Sequence, residues 1–206
     1  MIAKAEREQI IALINREVVP AIGCTEPIAV ALCVAKATET LGCRPEKIQA
    51  LLSTNILKNA MGVGIPGTGM IGLPIAIALG ALIGKSENQL EVLKDSTPEA
   101  VEEGKKLIDS QIINIGLKYG IEEKLYIEII CEAGGNKATA IISGGHTNFV
   151  YVSFNDEVLV NKQLTTSHET ETEDVTLSLR KVYDFAVTTP IEELKFILET
   201  RNLNKK

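Results

Sequence analysis

Aromatic residues are scarce in this 206-residue chain: they make up 4% of it, and tryptophan is absent. A platform on which nucleic-acid bases stack is therefore not expected. Basic residues are also in the minority, with 21 lysines and arginines against 27 acidic residues and a formal net charge of −6. Phosphate backbones are bound through clustered positive charge, so we expect no nucleic-acid partner.

Cysteine occurs only four times, at Cys24, Cys33, Cys43 and Cys131, and never in a C-x-x-C pair. This uneven scatter is not typical of a disulfide framework. The N-terminal segment is amphipathic and contains acidic residues, unlike a secretory or transit signal. Together these features predict reduced thiols and a cytoplasmic protein.

Charge is missing from residues 59–84, a stretch long enough to cross a bilayer. The stretch contains seven glycines and two prolines, and its helix-like part is too short to span a membrane alone. We therefore predict no membrane insertion. A glycine-rich loop that leads into a buried helix accounts better for this composition.

Helical patterns dominate the first half of the sequence. Helices are predicted near residues 3–18, from Thr25 to a stop at Gly42, over 74–83, and from Thr97 to Gly120. The second and third are apolar on all sides, which predicts that they are buried. Residues 48–53 could form a short strand or begin a helix, and periodicity does not decide between these over so few residues.

Alternating apolar residues mark the region after Leu125, with turn residues at Gly134-Gly135, Gly144-Gly145 and Asn155-Asp156. This pattern predicts an antiparallel meander of three or four strands. The fold class expected is α/β (α+β), with buried helices packed on a mainly antiparallel sheet. We expect one domain over residues 1–206.

The C-terminal region predicts two more helices, near residues 173–187 and 190–200. Val175, Leu179, Val182 and Ala186 are expected to form the inner face of the first helix. The acidic run over residues 169–174 and the nearby His168 are interpreted as solvated surface.

Cys24 is the residue that most suggests chemistry. It follows Gly23 and precedes a predicted helix N-terminus, where unpaired N–H groups and the helix dipole lower the pKa of a thiol. A thiolate is both a nucleophile and a metal ligand. The alternative is a small buried side chain, the commoner fate of a free cysteine. That fate is expected for Cys33, within the apolar helix.

The glycine segment over residues 61–69 contains G-x-G-x-x-G at Gly62, Gly64 and Gly67. A dinucleotide-binding site is not expected, because Pro66 interrupts the helix that this motif should open. Two interpretations remain. The segment could form a backbone concavity that holds a carboxylate or another anion, or it could be a set of tight turns between buried helices.

Two further sets of polar residues could take part in chemistry, one just before the glycine segment and one in the strand region. Asn55 and Asn59 would share one face of a helix, and their amides, with the cation of Lys58, suit a small zwitterionic substrate. The alternative for them is helix capping. His146, in S-G-G-H-T-N, stands at a turn between strands and could act as an acid or base near neutral pH. A loop histidine can equally be incidental.

Three runs of the sequence resemble the L-cysteine desulfidase family, whose members are related to iron–sulfur serine dehydratases. The runs are A-I-G-C-T-E-P-I-A-V-A over residues 21–31, N-I-L-K-N-A-M-G-V-G-I-P-G-T-G over 55–69, and S-G-G-H-T-N over 143–148. They occur in the family's order and span about the first three-quarters of the chain. Their agreement in order is far more specific than a glycine pattern alone.

The resemblance implies a carbon–sulfur lyase that uses a [4Fe–4S] cluster and converts L-cysteine to sulfide, ammonia and pyruvate by β-elimination. It maps one cluster ligand onto Cys24 and implies that the other ligands lie in a second half absent from this chain. A C-terminal half or a partner subunit is therefore expected. The alternatives are a part of an L-serine dehydratase-like enzyme and a non-catalytic amino-acid-binding domain.

Residue chemistry assigns further roles within that resemblance. We expect Asn55, Lys58 and Asn59, with the backbone at Gly64 and Gly67, to hold the amino-acid substrate by its carboxylate. His146 is the candidate catalytic residue, and Thr147 and Asn148 are expected to line the site.

Overall fold

A six-stranded sheet lies at the centre of the fold in the computed structural model, which describes residues 2–162 and 175–205. Its strands are β1 (Lys47–Leu52), β4 (Ile113–Leu117), β5 (Tyr126–Ala133), β6 (Asn136–Ser143), β7 (Phe149–Phe154) and β8 (Glu157–Asn161). Their order is β4-β1-β5-β6-β7-β8, with β1 and β4 parallel and every other neighbouring pair antiparallel. The predicted fold class is confirmed.

Two apolar helices are buried beside this sheet: α2 packs on its central strands, and α4 packs mainly on α2. Helix α2 (Thr25–Leu41) ends at Gly42, whose φ of +77° is left-handed, as the sequence predicts. Helix α4 (Leu73–Ile83) packs against α2 so closely that an added Cβ at Gly80 would lie 2.6 Å from the carbonyl oxygen of Ala31. A glycine is needed there because it lets the two backbones approach each other.

Helix α5 (Pro98–Asp109) begins as predicted, because the Thr97 side chain accepts a hydrogen bond from the N–H of Ala100. Its predicted continuation to Gly120 is wrong. Gln111 has a left-handed φ of +58°, and β4 follows. The helical spacing misled because Ile112 still packs against the core, from the turn before β4 rather than from a helix.

The larger of two compact units, Pro20–Leu164, contains all of these elements. It also contains α3 (Thr54–Ala60), the hairpin of β2 (Gly64–Ile65) and β3 (Met70–Ile71), and a short 3-10 helix over Ser86–Glu91. Residues 48–53, ambiguous in the sequence, form β1 and the N-cap of α3.

The smaller unit consists of Met1–Val19 and Thr165–Lys206. It contains α1 (Lys4–Glu17), α6 (Leu179–Thr188), a 3-10 turn over Ile191–Leu194 and α7 (Ile197–Leu203). Ile2, Ile10 and Phe185 form its buried core. Compactness alone does not define an independently folding domain, so the single domain expected over residues 1–206 stays a prediction.

The expected inner face of α6 is wrong in part. Leu179 is 89% exposed and Val182 is 47% exposed, whereas Phe185 is the buried residue of this helix. His168, the acidic run 169–174 and the expected helix start near residue 173 lie outside the described residues. Within residues 2–162 and 175–205, no helix is long and apolar enough to cross a membrane.

Candidate functional site

Cys24 is the N-cap of α2, the residue from which the helix starts. Its backbone is extended and its side chain makes no capping bond to the helix. Instead, the thiol donates to Oε2 of Glu26, with 2.9 Å between sulfur and oxygen. The thiol therefore lies beside a carboxylate at the N-terminal end of α2.

Glu26 joins Cys24 to a second helix. Its Oε1 accepts a hydrogen bond from Nδ2 of Asn59 in α3 at 3.4 Å, and its Oε2 also accepts from the Thr25 hydroxyl at 3.3 Å. These bonds, led by the one from Cys24, lower the pKa of the Glu26 carboxyl. The carboxylate is thus the charged member of a cluster that we call the Cys24–Glu26–Asn59 triplet.

The expectation of an acidic Cys24 thiol is wrong. Burial raises its pKa, and the hydrogen bond to the negatively charged Glu26 carboxylate raises it further. Backbone N–H groups at the helix start act in the opposite direction but do not prevail. A thiolate next to an anion is unfavourable, so the thiol stays protonated over a wider pH range than a free cysteine.

The glycine hairpin packs directly on the loop before Cys24. Gly23 has a φ of +80°, and an added Cβ there would lie 2.7 Å from Cγ of Pro66. Only glycine combines this backbone conformation with so close a contact. Residues 21–31 and 55–69, the first two of the three runs that resemble the desulfidase family, therefore meet at this point.

The hairpin turn is closed by its own threonine. The Thr68 hydroxyl donates to the carbonyl oxygen of Ile65 at 2.7 Å and accepts from the N–H of Met70 at 3.0 Å. Gly64 and Gly67 are exposed, and nothing lies within 4 Å of an added Cβ at either position. Their backbone is accessible, and anion binding by it stays a prediction.

Helix α3 presents its polar residues to the outside. Asn55, Lys58 and Asn59 are exposed, while Ile56 and Ala60 are buried against the core. Asn55 and Asn59 lie one turn apart on α3, which confirms the expected helix, and substrate binding by the three residues stays a prediction. Capping is performed by Ser53, whose hydroxyl oxygen accepts from the N–H of Ile56, so the capping alternative does not account for Asn55, Lys58 or Asn59.

The third block forms the connection from β6 to β7. Gly144 has a φ of +74°, and His146 is half-buried. The Asn148 amide donates to the carbonyl oxygen of Ser143 at 2.9 Å and accepts from Lys162 at 3.2 Å, so this side chain stabilises the loop itself. Thr147 is exposed. Lining of a site by Thr147 and Asn148 stays a prediction.

Strand directions bring the three blocks to one end of the sheet. The N–H of Ser53 donates to Tyr126, and that of Gly144 donates to Leu125, so the end of β1, the start of β5 and the end of β6 coincide. Helix α2 runs with its N-terminal end towards this same end of the sheet. Its Cys33 thiol contacts Ile127 at the start of β5, whereas Thr38, nearer the end of the helix, contacts Cys131 later in β5. Among the described residues, no hydrogen bond joins His146 to the triplet.

A [4Fe–4S] cluster needs several thiolates, and the other cysteines are not placed to provide them. Cys33 is buried in α2 as predicted, Cys131 is buried in β5, and exposed Cys43 follows the opposite end of α2 from Cys24. Within the described ranges, no group of three or more His, Cys, Asp or Glu side chains could hold a metal ion. These residues offer one thiol and do not fit a cluster by themselves.

Glu26 is the member of the site that sequence reasoning missed. A carboxylate in the first turn of a helix is favourable by its charge alone, so Glu26 does not stand out in the sequence. A residue two positions after an N-cap lies close enough to contact the N-cap side chain, which could have indicated its pairing with Cys24. The contact with Asn59 depends on how α2 packs against α3 and has no local signature.

Proteins named UPF0597 protein are similar to this chain over nearly all of its length. The chain is 79% identical over 205 residues to one from Phocaeicola vulgatus, 76% over 203 residues to one from Bacteroides fragilis, and 40% over 197 residues to one from Chromobacterium violaceum. These matches cover 100%, 98% and 95% of this chain, but 48%, 47% and 46% of the relatives. The chain therefore spans about half the length of the curated relatives it matches. No family profile and no solved structure matches it.

Proposed function

We propose that this chain is the N-terminal part of a carbon–sulfur lyase that resembles L-cysteine desulfidase and releases sulfide, ammonia and pyruvate from L-cysteine. The observation that carries this proposal is the meeting of Cys24, Glu26 and Asn59 beside the glycine hairpin. These groups come from two of the three sequence blocks on which the resemblance rests. The cytoplasm suits a protein with four free cysteines.

The charge of the triplet supports a particular orientation of an amino-acid substrate. The Glu26 carboxylate repels an anion and attracts a cation, so this position suits the substrate ammonium group. The substrate carboxylate is then assigned to Lys58 and Asn55, on the exposed face of α3, and to the accessible backbone at Gly64 and Gly67. A zwitterion placed in this way has both of its charges matched.

The elimination also needs a group that handles the proton at Cα. His146 is our candidate because imidazole exchanges protons near neutral pH and its loop lies at the same end of the sheet. The β-sulfur leaves as the Cα proton is removed, and the resulting aminoacrylate hydrolyses to pyruvate and ammonia. Any iron–sulfur cluster would need thiolates from outside this chain in addition to Cys24.

The proposal can be tested by producing this chain together with the remaining half of the Phocaeicola vulgatus relative under anaerobic conditions. We expect the pair to release sulfide and pyruvate from L-cysteine, and this chain alone to release neither. His146→Asn should lower the rate by roughly 10²-fold, the usual scale for loss of a general acid or base. Its melting temperature should stay nearly unchanged, because an unbonded loop side chain contributes little to stability.

Two other results would assign a different function. Release of pyruvate and ammonia from L-serine, with no sulfide from L-cysteine, would identify the dehydratase alternative. Binding of amino acids without any product, by a pair that assembles, would identify a non-catalytic binding domain. A His146→Asn variant that unfolds would show that His146 has a structural role.

A further inference from the structure

Helix α6 carries most of its large apolar side chains on the outside of the smaller unit. Leu179, Val182, Tyr183 and Val187 are 89%, 47%, 61% and 58% exposed. Their spacing of three, four and eight residues from Leu179 places them on one face of the helix, which we call the α6 stripe. Phe185 lies on another face and is buried in the unit's own core.

The charged residues of α6 are already paired beside this stripe. Arg180 contacts Asp184 at 3.2 Å, and Lys181 contacts Glu6 of α1 at 2.7 Å. The stripe is therefore flanked by neutralised charge and presents an apolar surface. Further exposed apolar side chains follow in the same unit, at Ile191, Ile197, Leu198 and Leu203. Several large apolar side chains exposed on one helix face are typical of an interaction site in soluble proteins.

We propose that the α6 stripe is the surface on which the remaining half of the relatives' chain docks. A strongly amphipathic helix normally buries its apolar face, and the other described residues of the smaller unit do not cover this one. The relatives carry about as many residues again outside the matched region, since the match covers 46–48% of their length. Tyr183 suits the centre of such an interface, because aromatic side chains with a polar tip are enriched there.

This inference shares one premise with the proposed function, namely that the chain works together with that half. It makes a separate claim, which is about assembly and not about chemistry. An assembled pair that releases no sulfide would contradict the proposed function and leave the docking surface intact. The test therefore measures association directly.

The experiment co-expresses the tagged chain with the remaining half of the Phocaeicola vulgatus relative and measures how much of that half co-purifies. The double variant Leu179→Lys/Tyr183→Lys places two charges on the stripe. Its matched control is Tyr119→Lys/Leu159→Lys, which changes side chains that are 85% and 53% exposed in the larger unit. We expect wild type and control to co-purify with equal amounts of the half, and the stripe variant to retain about tenfold less.

Several outcomes would overturn the proposal. They are failure of the wild-type chain to capture the half, equal retention by the stripe variant, and a wild-type homodimer that the stripe variant converts to monomer. The last result would make a second copy the occupant. Circular dichroism checks that the variants fold. If the double variant melts early, Tyr183→Ser alone replaces it and must still reduce retention.

Discussion

Glu26 follows Cys24 by two residues, and its carboxylate lies 2.9 Å from the Cys24 sulfur. The carboxylate keeps a negative charge because hydrogen bonds from Cys24, Asn59 and Thr25 lower its pKa. The same charge, added to burial, raises the pKa of the Cys24 thiol. A helix N-terminus is therefore not enough to make this cysteine reactive, since burial first, and then the hydrogen bond to the Glu26 carboxylate, raise the pKa by more than the backbone N–H groups lower it.

Replacing the charge of Glu26 should make Cys24 more reactive. In Glu26→Gln the thiol keeps a hydrogen-bond acceptor but loses the neighbouring anion, so its pKa should fall towards that of a free cysteine. Because the thiolate is the nucleophile, alkylation of Cys24 by iodoacetamide at pH 7 should become several-fold faster. Mass mapping measures each site, and the exposed Cys43 is the internal control.

In the wild-type chain, the pKa of the Cys24 thiol is raised. The rate of its alkylation should therefore still be increasing with pH where a free cysteine is already fully ionised. Cys33 and Cys131 should stay unlabelled in the folded chain, since both are buried. A Glu26→Gln variant that labels at the wild-type rate would contradict the coupling between these two residues.

At the scale of elements, the packing of α4 against α2 and α5 decides which helical glycines can be replaced by a larger residue. Gly80 and Gly104 both lie inside helices. An added Cβ at Gly80 would meet the backbone of Ala31, at 2.6 Å from its carbonyl oxygen. At Gly104 it would meet the end of the Ile75 side chain, at 2.9 Å. A side-chain end can move aside, whereas a helix backbone cannot without shifting the whole helix.

The two glycine substitutions should therefore differ in their effect on stability. Glycine to alanine inside a helix normally stabilises it by about 1 kcal/mol through propensity. Gly80→Ala should instead lower the free energy of unfolding by about 1–3 kcal/mol, the usual cost of overpacking a core. Gly104→Ala should be close to neutral. Urea denaturation of both variants measures the difference, and equal effects would contradict the close approach of α2 and α4.

Caps and apolar patterns predicted several elements because these signals are local. Gly42 ends α2 and paired glycines turn the β5–β6 hairpin, as expected from their freedom to adopt positive φ. The strand β4 was missed because it has five residues and its pairing with β1 joins positions 65 apart in the chain. Helical spacing across Ile108 and Ile112 therefore suggested one long helix.

In the candidate site, too, local signals could be read from the sequence and contacts between distant residues could not. Cys24, Asn59 and His146 could be nominated from their chemistry and their neighbours in sequence. The bond between Glu26 and Asn59 could not, because it joins residues 33 apart through the packing of two helices. The exposure of the α6 stripe was also unpredictable, since a periodic pattern indicates which face is apolar but not which partner covers it.

At the scale of the whole molecule, the chain matches about half of each of the three relatives. The three runs that resemble the desulfidase family lie at one end of the sheet in the larger unit, and the α6 stripe lies in the smaller unit. We expect the remaining half of the relatives' chain to complete the site at that end of the sheet and to bind to the α6 stripe. Both expectations concern the assembled pair.

The central claim is that an amino acid binds beside Cys24, and the most direct test is protection of this thiol. L-alanine has the ammonium and carboxylate groups of the proposed substrate but no leaving group on its β-carbon. In the co-expressed pair, increasing concentrations of L-alanine should slow the alkylation of Cys24 to a saturating limit and leave Cys43 unchanged. Alkylation of Cys24 at one constant rate across all L-alanine concentrations would contradict the claim.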